Sequence, residues 1–124
     1  MSKQKIPKTW EIWVVKFKKS LEDKKELRPC LVISNDWQNE FDQGIIVIPL
    51  TTKALDLIEP FEVLVKKKLD YGIDRDCKLQ FNYPKTVNKT RLHLFLGKAD
   101  DEIIAKSILA WKKCFFHLIS EKEW

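Results

Sequence analysis

Over most of its length the chain carries its apolar residues in short runs and alternations, the pattern of strands rather than helices. Trp10 to Phe17 is aromatic and β-branched and predicts a first strand. In the next apolar run, Cys30 to Ser34, Pro29 fixes its own φ and pushes Arg28 out of the helical region. That reads as an extended entry into a buried second strand, with the cation at its mouth and an Asn35-Asp36 turn closing it. Gly44 opens a continuous apolar run from Ile45 to Leu50, a central strand buried on both faces that ends or bulges at Pro49, which has no N–H to donate. After Pro60, the alternation of Phe61, Val63 and Val65 with Glu62 and Leu64 predicts a fourth strand, closed by Lys66 to Lys68. Lys78 to Tyr83 predicts a fifth, stopped by Pro84 and resumed at Lys85 to Val87; Asn88 caps one helical turn, and His93 to Leu96 is a short strand ended by Gly97.

The helical period enters only at the end. Asp100 is an N-cap, Asp101 and Glu102 suit the positive end of the helix dipole, and Ile104, Ile108, Trp111, Phe115 and Leu118 step along one face. Leu109, Phe116 and Ile119 widen that stripe enough to leave apolar area for a partner. Five to seven short strands and a C-terminal helix predict a mainly β (α+β) fold, a small curled sheet or SH3-like barrel. The length of 124 residues predicts a single domain over 1–124, with residues 1–9 and 120–124 as loose tails. Lys18 to Leu27 and Asn35 to Gln43 read as polar loops, and Tyr71 to Asp74 as a turn.

Composition narrows the function classes. No apolar run approaches the roughly 20 residues of a membrane span, and the polar, basic start is not a signal peptide. Cys30, Cys77 and Cys114 are far apart and odd in number, which argues against a disulfide framework or a zinc site and for a reducing cytoplasm. Cys30 and Cys114 sit in apolar surroundings, as core filler. The net charge of +5 permits a polyanionic partner, although the basic residues are interleaved with acids.

P-loop, GxGxxG, HExxH and GxSxG signatures are absent, and the carboxylates show no metal-ligand spacing, so no metal or cofactor is expected. His93 and His117 are the only histidines; one alternates with apolar residues and the other sits on the apolar helix, which disfavours them as an acid–base pair. Arg28 is placed to bind an anion, or to pair with Asp23 or Glu26. Lys18, Lys19, Lys24 and Lys25 read as a solvated surface or as a basic lip over a phosphate track. Trp37 in its polar loop either stacks a nucleobase or tucks into the core, and Thr51 and Thr52 at a strand end either serve a ligand or satisfy the turn backbone.

The order of these motifs resembles one family. Trp10-Glu11-Ile12-Trp13 precedes a charged loop, then Arg28-Pro29 with Leu-Val-Ile-Ser-Asn-Asp, then Asn39, then Val47 through Thr52. Pro60-Phe61-Glu62-Val63, Lys85 through Lys89, Arg91-Leu92, Gly97 and an acidic helix start follow. The series resembles the MazF/PemK toxins of type II toxin–antitoxin pairs over about residues 10 to 119. The resemblance implies a MazF/CcdB-like fold, a homodimer, and a metal-independent, sequence-selective endoribonuclease that cuts single-stranded RNA and is neutralised by a cognate antitoxin. It assigns the catalytic roles to Arg28 and Thr51; Asn39, Thr52, Tyr83 and Lys85 join the lysines and Trp37 as candidate RNA-binding residues. Three positions depart from the family pattern. Trp10 stands where the family has Gly, the loop before Arg28 lacks the usual glycines, and Asn82-Tyr83 replaces an acidic-Gln pair, offering Tyr83 as a base-stacking group. The alternative on the same scaffold is a non-cleaving binder, such as a gyrase poison or a nucleic-acid-binding regulator.

Overall fold

The computed structural model describes residues 6–18 and 27–118. Strands β1 (Glu11–Lys16), β2 (Leu27–Val32), β3 (Gly44–Thr51), β4 (Glu62–Val65), β5 (Cys77–Gln80), β6 (Lys85–Asn88) and β7 (Leu92–Lys98) form one seven-stranded sheet. Its order is β4-β5-β3-β2-β1-β7, with β6 also on β3, and the paired strands are antiparallel. The sheet is open, so of the two expected forms the curled sheet holds and a closed barrel does not. Helix α1 (Asp36–Phe41) lies between β2 and β3, and helix α2 (Asp101–Phe115) follows β7.

Strand alternation divides the core. Ile12, Leu31, Ile48, Leu50, Leu79 and Phe81 pack with Ala110 of α2 on one face; Trp13, Val15, Cys30, Val32, Ile45 and Val47 pack together on the other. β3 is central and almost wholly buried, as its unbroken apolar run predicts.

Several boundaries differ from expectation. β2 begins at Leu27, so Arg28 and Pro29 lie inside the strand, paired with Val15 and Val14, rather than at its mouth. β3 continues through Pro49 instead of ending there: Cys30↔Pro49 is its last pair with β2, and on the opposite edge its partner passes from β6 (Val47↔Lys85) to β5 (Leu50↔Leu79). The segment Asn35 to Gln43 holds α1 rather than an unbroken loop, because Asn35 Oδ1 accepts from Gln38 N (2.8 Å) as an N-cap. β7 runs through Gly97, whose φ of 153° and missing Cβ leave room for the Tyr71 ring. Residues 6–9, read as part of a loose tail, are tied down: Pro7 is fully buried, and Thr9 Oγ1 donates to Ser34 O (2.7 Å).

The N-cap of α2 is Asp100, accepting from Ile103 N at 2.9 Å. Its buried face is not the predicted stripe. Ser107 and Ala110 are buried and Ile103, Ile104 and Cys114 pack on the core, while Ile108, Leu109, Trp111 and Phe116 are exposed. Of the predicted stripe Ile104 faces the core, beside the small Ser107 and Ala110, while Ile108 and Trp111 are turned outward.

Candidate active site

The site lies where β2 and β3 part after Cys30↔Pro49, on the face of the sheet that carries Cys30 and Val47 rather than α2. On that face Arg28 reaches across from β2, and its Nη2 donates to Leu50 O at 3.4 Å, the carbonyl of the Leu50–Thr51 peptide. Arg28 stands two residues before Cys30, and Thr51 two residues after Pro49, the partner of Cys30 in the last pair across the two strands. Thr51 is half-buried, and its Oγ1 accepts from Lys53 N (3.2 Å). The hydroxyl therefore satisfies the turn backbone and still keeps its proton to donate, so the two readings of Thr51 are compatible.

β5 and β6 flank β3 on the same side, and Phe81 to Pro84 form a kink between them. Tyr83 N donates to Gln80 O (3.0 Å), and the ring is left exposed. Arg28, Pro49, Gln80, Tyr83 and Lys85 line a recess of about 150 Å³. A larger cleft of about 440 Å³ lies on the other flank of Arg28 and includes Thr52, Arg75 and Pro29. The guanidinium thus stands between two open spaces with further cations in each.

A buried ion pair backs the recess. Lys78 Nζ lies 3.0 Å from Glu62 Oε1, with the two side chains 4% and 3% exposed. The ammonium also donates to Ala54 O (2.8 Å) and Leu57 O (3.2 Å), which uses all three of its protons. Burial pushes the Glu62 carboxyl up, but hydrogen bonds from Glu59 N, Gln80 and Lys78, with the ammonium charge, outweigh it and hold the group below the usual carboxylate range. Gln80 Nε2 donates to Glu62 Oε2 at 2.9 Å.

Cys30 lies beneath the site. Burial pushes its thiol up to about 12 against the opposing pull of Arg28 and Lys85, so it is core filler and not a nucleophile. Among the described residues no group of His, Cys, Asp and Glu is arranged to hold a metal ion.

The remaining predicted RNA contacts scatter. Lys18 is exposed just beyond β1, near the end that pairs with Leu27 and Arg28; Lys19, Lys24 and Lys25 fall outside the described residues. Trp37 is 75% exposed on α1 and rests on Phe41, at the opposite end of β2 from Arg28. Asn39 is corrected: it is fully buried, its Nδ2 donates to Ser34 O (2.9 Å) and its Oδ1 accepts from the Ser34 hydroxyl, so no RNA can reach it. Gln80, Glu62 and Lys78 were not foreseen as part of the site. Their one signal is that Lys78 and Gln80 share a face of β5 beside the break at Pro49.

The model of the PemK-like, MazF-like toxins of type II toxin–antitoxin systems matches residues 8–109. The chain belongs to that family. It is 34% identical to endoribonuclease EndoA of Bacillus subtilis over 80 residues, 64% of this chain and 68% of that one. The fold is similar to an endoribonuclease solved with its cognate antitoxin from a mycobacterial species (TM-score 0.71, 17% identity, 89% of this chain and 95% of that one). It is also similar to a MazE–MazF structure from Deinococcus radiodurans (TM-score 0.68, 18% identity, 88% and 95%). Within this MazF-like chain the family's glycine position carries Trp10 at a φ of 73°, a left-handed conformation that ordinarily favours glycine. Trp10 N donates to Val32 O (2.8 Å) and Trp10 O accepts from Ala99 N (2.9 Å), so the backbone is held while the indole packs on the core.

Proposed function

We propose that this chain is a metal-independent endoribonuclease toxin that cuts single-stranded RNA at the Arg28–Thr51 site. The observation that carries the proposal is the Arg28 guanidinium seated beside the Leu50–Thr51 peptide on an open face of the sheet. The 2′-hydroxyl oxygen attacks the adjacent phosphorus, the P–O5′ bond breaks, and the products are a 2′,3′-cyclic phosphate and a 5′-hydroxyl. The proton lost from the 2′-oxygen is matched by the one gained at the 5′-oxygen, so no net proton and no protein nucleophile are needed. The Arg28 guanidinium holds the non-bridging oxygens bidentately and stabilises the extra negative charge. Thr51 donates its hydroxyl to the phosphate or passes the proton between the two oxygens. Lys85 and Lys18 supply backbone phosphate contacts, Tyr83 a stacking face, and Thr52 a hydroxyl on the far flank.

A cognate antitoxin neutralises the toxin, and the protein acts as a homodimer in the cytoplasm, where messenger RNA is exposed. The outward-turned Ile108, Leu109 and Trp111 of α2, with Phe116 just beyond its end, support an apolar partner surface. No helix among the described residues is long and apolar enough to cross a membrane.

Purified protein, free of antitoxin and with chelator present, is incubated with a mixed-sequence RNA and the new ends are mapped. Cyclic-phosphate and 5′-hydroxyl ends at a recurring sequence are expected. Arg28→Ala and Thr51→Val should keep the wild-type circular dichroism and lose roughly 10²-fold or more in rate. Intact RNA with the wild type, or undiminished cutting by Arg28→Ala, refutes the proposal.

A further inference from the structure

We infer that Gln80 reads one nucleobase of the substrate, as an acceptor locked in one orientation by the buried Glu62–Lys78 pair. The inference rests on the nucleic-acid-cleaving reading above and adds to it a base-selecting subsite beside the scissile phosphate.

Amide orientation is usually ambiguous, because oxygen and nitrogen exchange at small cost. Here it is not. An ionised carboxylate accepts and cannot donate, and the Glu62 carboxyl is kept ionised by its three donors. Glu62 itself cannot turn: Oε1 is bound to Lys78 Nζ and to Glu59 N (2.9 Å), and Oε2 to Gln80. Gln80 must therefore point Nε2 at Glu62. The Oε1 atom is the group left for a ligand, and no donor to it is found among the described residues. Gln80 is half-buried and lines the recess with Arg28, Tyr83 and Lys85.

A base stacked on the exposed Tyr83 ring turns an edge toward this wall. The exocyclic groups at positions 4 and 6 differ in sign: amino in cytosine and adenine, oxygen in uracil and guanine, whose ring N–H donor lies beside it. A fixed acceptor that faces the exocyclic position hydrogen-bonds the amino group and repels the oxygen. Because Gln80 cannot flip, it cannot relieve the mismatch, and the unpaired oxygens carry the full desolvation cost. Adenine or cytosine should thus be preferred over uracil at the position stacked on Tyr83.

The test separates base reading from cleavage. A fully randomised 2′-deoxy hexamer pool, with uracil in place of thymine, lacks the attacking hydroxyl and reports binding alone. Wild-type protein should enrich adenine and cytosine over uracil about tenfold at one position, the size of one hydrogen bond. Gln80→Met keeps the side-chain volume and should reduce that ratio to about twofold or less at that position only. Gln80→Lys still bonds Glu62 but offers a donor to the base, and should reverse the preference toward uracil. Circular dichroism confirms that both variants fold. A wild type without preference, or Gln80→Met with an unchanged one, overturns the inference. The ribose pool run in parallel tests the toxin reading by itself: uncut RNA would sink that reading while the binding ratios still decide the role of Gln80.

Discussion

Removing the Lys78 ammonium should be among the most costly single changes in this domain. Lys78→Met keeps most of the apolar stem and deletes three hydrogen bonds at 2.8, 3.0 and 3.2 Å. Glu62 then keeps its negative charge in a side chain only 3% exposed, with Glu59 N and Gln80 as its remaining donors. Stranding one partner of a buried ion pair costs about 3–5 kcal/mol. A domain of this size holds about 5–15 kcal/mol in all, so the variant approaches the threshold of folding. With a urea slope of about 2 kcal/mol per molar, the midpoint should fall by about 2 M. Tryptophan fluorescence at fixed protein concentration measures it, since association also shifts apparent stability. The double variant Glu62→Leu/Lys78→Met removes both charges, so it should recover at least about 2 kcal/mol relative to Lys78→Met alone. A single variant that moves the midpoint by less than about 0.5 M, or a double variant no better than the single, would refute the claim that an uncompensated charge is what the pair prevents.

Other outcomes follow from the same geometry. Gly97→Ala builds a Cβ at 2.9 Å from Tyr71 Cδ1 at a φ of 153°, and the ring cannot retreat because its hydroxyl donates to Lys98 O at 2.6 Å. It should cost about 1–3 kcal/mol, read as a lowered Tm, and an unchanged Tm refutes the clash. Tyr83→Ala should weaken binding of single-stranded nucleic acid by about 1–3 kcal/mol in fluorescence anisotropy, and a loss well below that range means the ring stacks no base. Because the Glu62 carboxyl is depressed in the folded state, its contribution is complete above the unfolded-state pKa and is lost as pH falls through the folded one. Glu62→Gln should flatten the acid limb of the pH–stability curve, and an identical limb would show that other carboxylates set it.

How much of this was legible in the sequence depends on how local the cause is. The strands and the caps at Asn88 and Asp100 were readable because alternation and capping act over two or three residues. Arg28 and Thr51 were singled out by residue type and by resemblance. Antiparallel register pairs residues 30 and 49, two positions from each, and the Arg28 guanidinium reaches the Leu50 carbonyl. Helix α1 escaped notice because six residues are too short for a hydrophobic period, and its evidence was a single capping bond from Asn35. The phase of α2 was misread because hydrophobicity was taken as the measure of burial. The small Ser107 and Ala110 instead went inward beside Ile104, and Trp111 outward.

The burial of Lys78 left no local sign in the sequence and bears most on function. A lysine in a strand looks solvent-facing, and nothing within a few residues contradicts that. What buries it is remote: the carbonyls of Ala54 and Leu57 and the carboxylate of Glu62 are 24, 21 and 16 positions away. They converge because β5 pairs with the end of β3, Lys78 opposite Thr51, and with β4, Gln80 opposite Glu62. Pro49 lies in the recess with Arg28, Gln80, Tyr83 and Lys85. A proline that would ordinarily end a strand therefore sits inside β3, where side chains from β2, β5 and β6 and from the turn before β6 gather around it. Chemistry of this kind is assembled by long-range pairing, and it becomes visible only when the register is known.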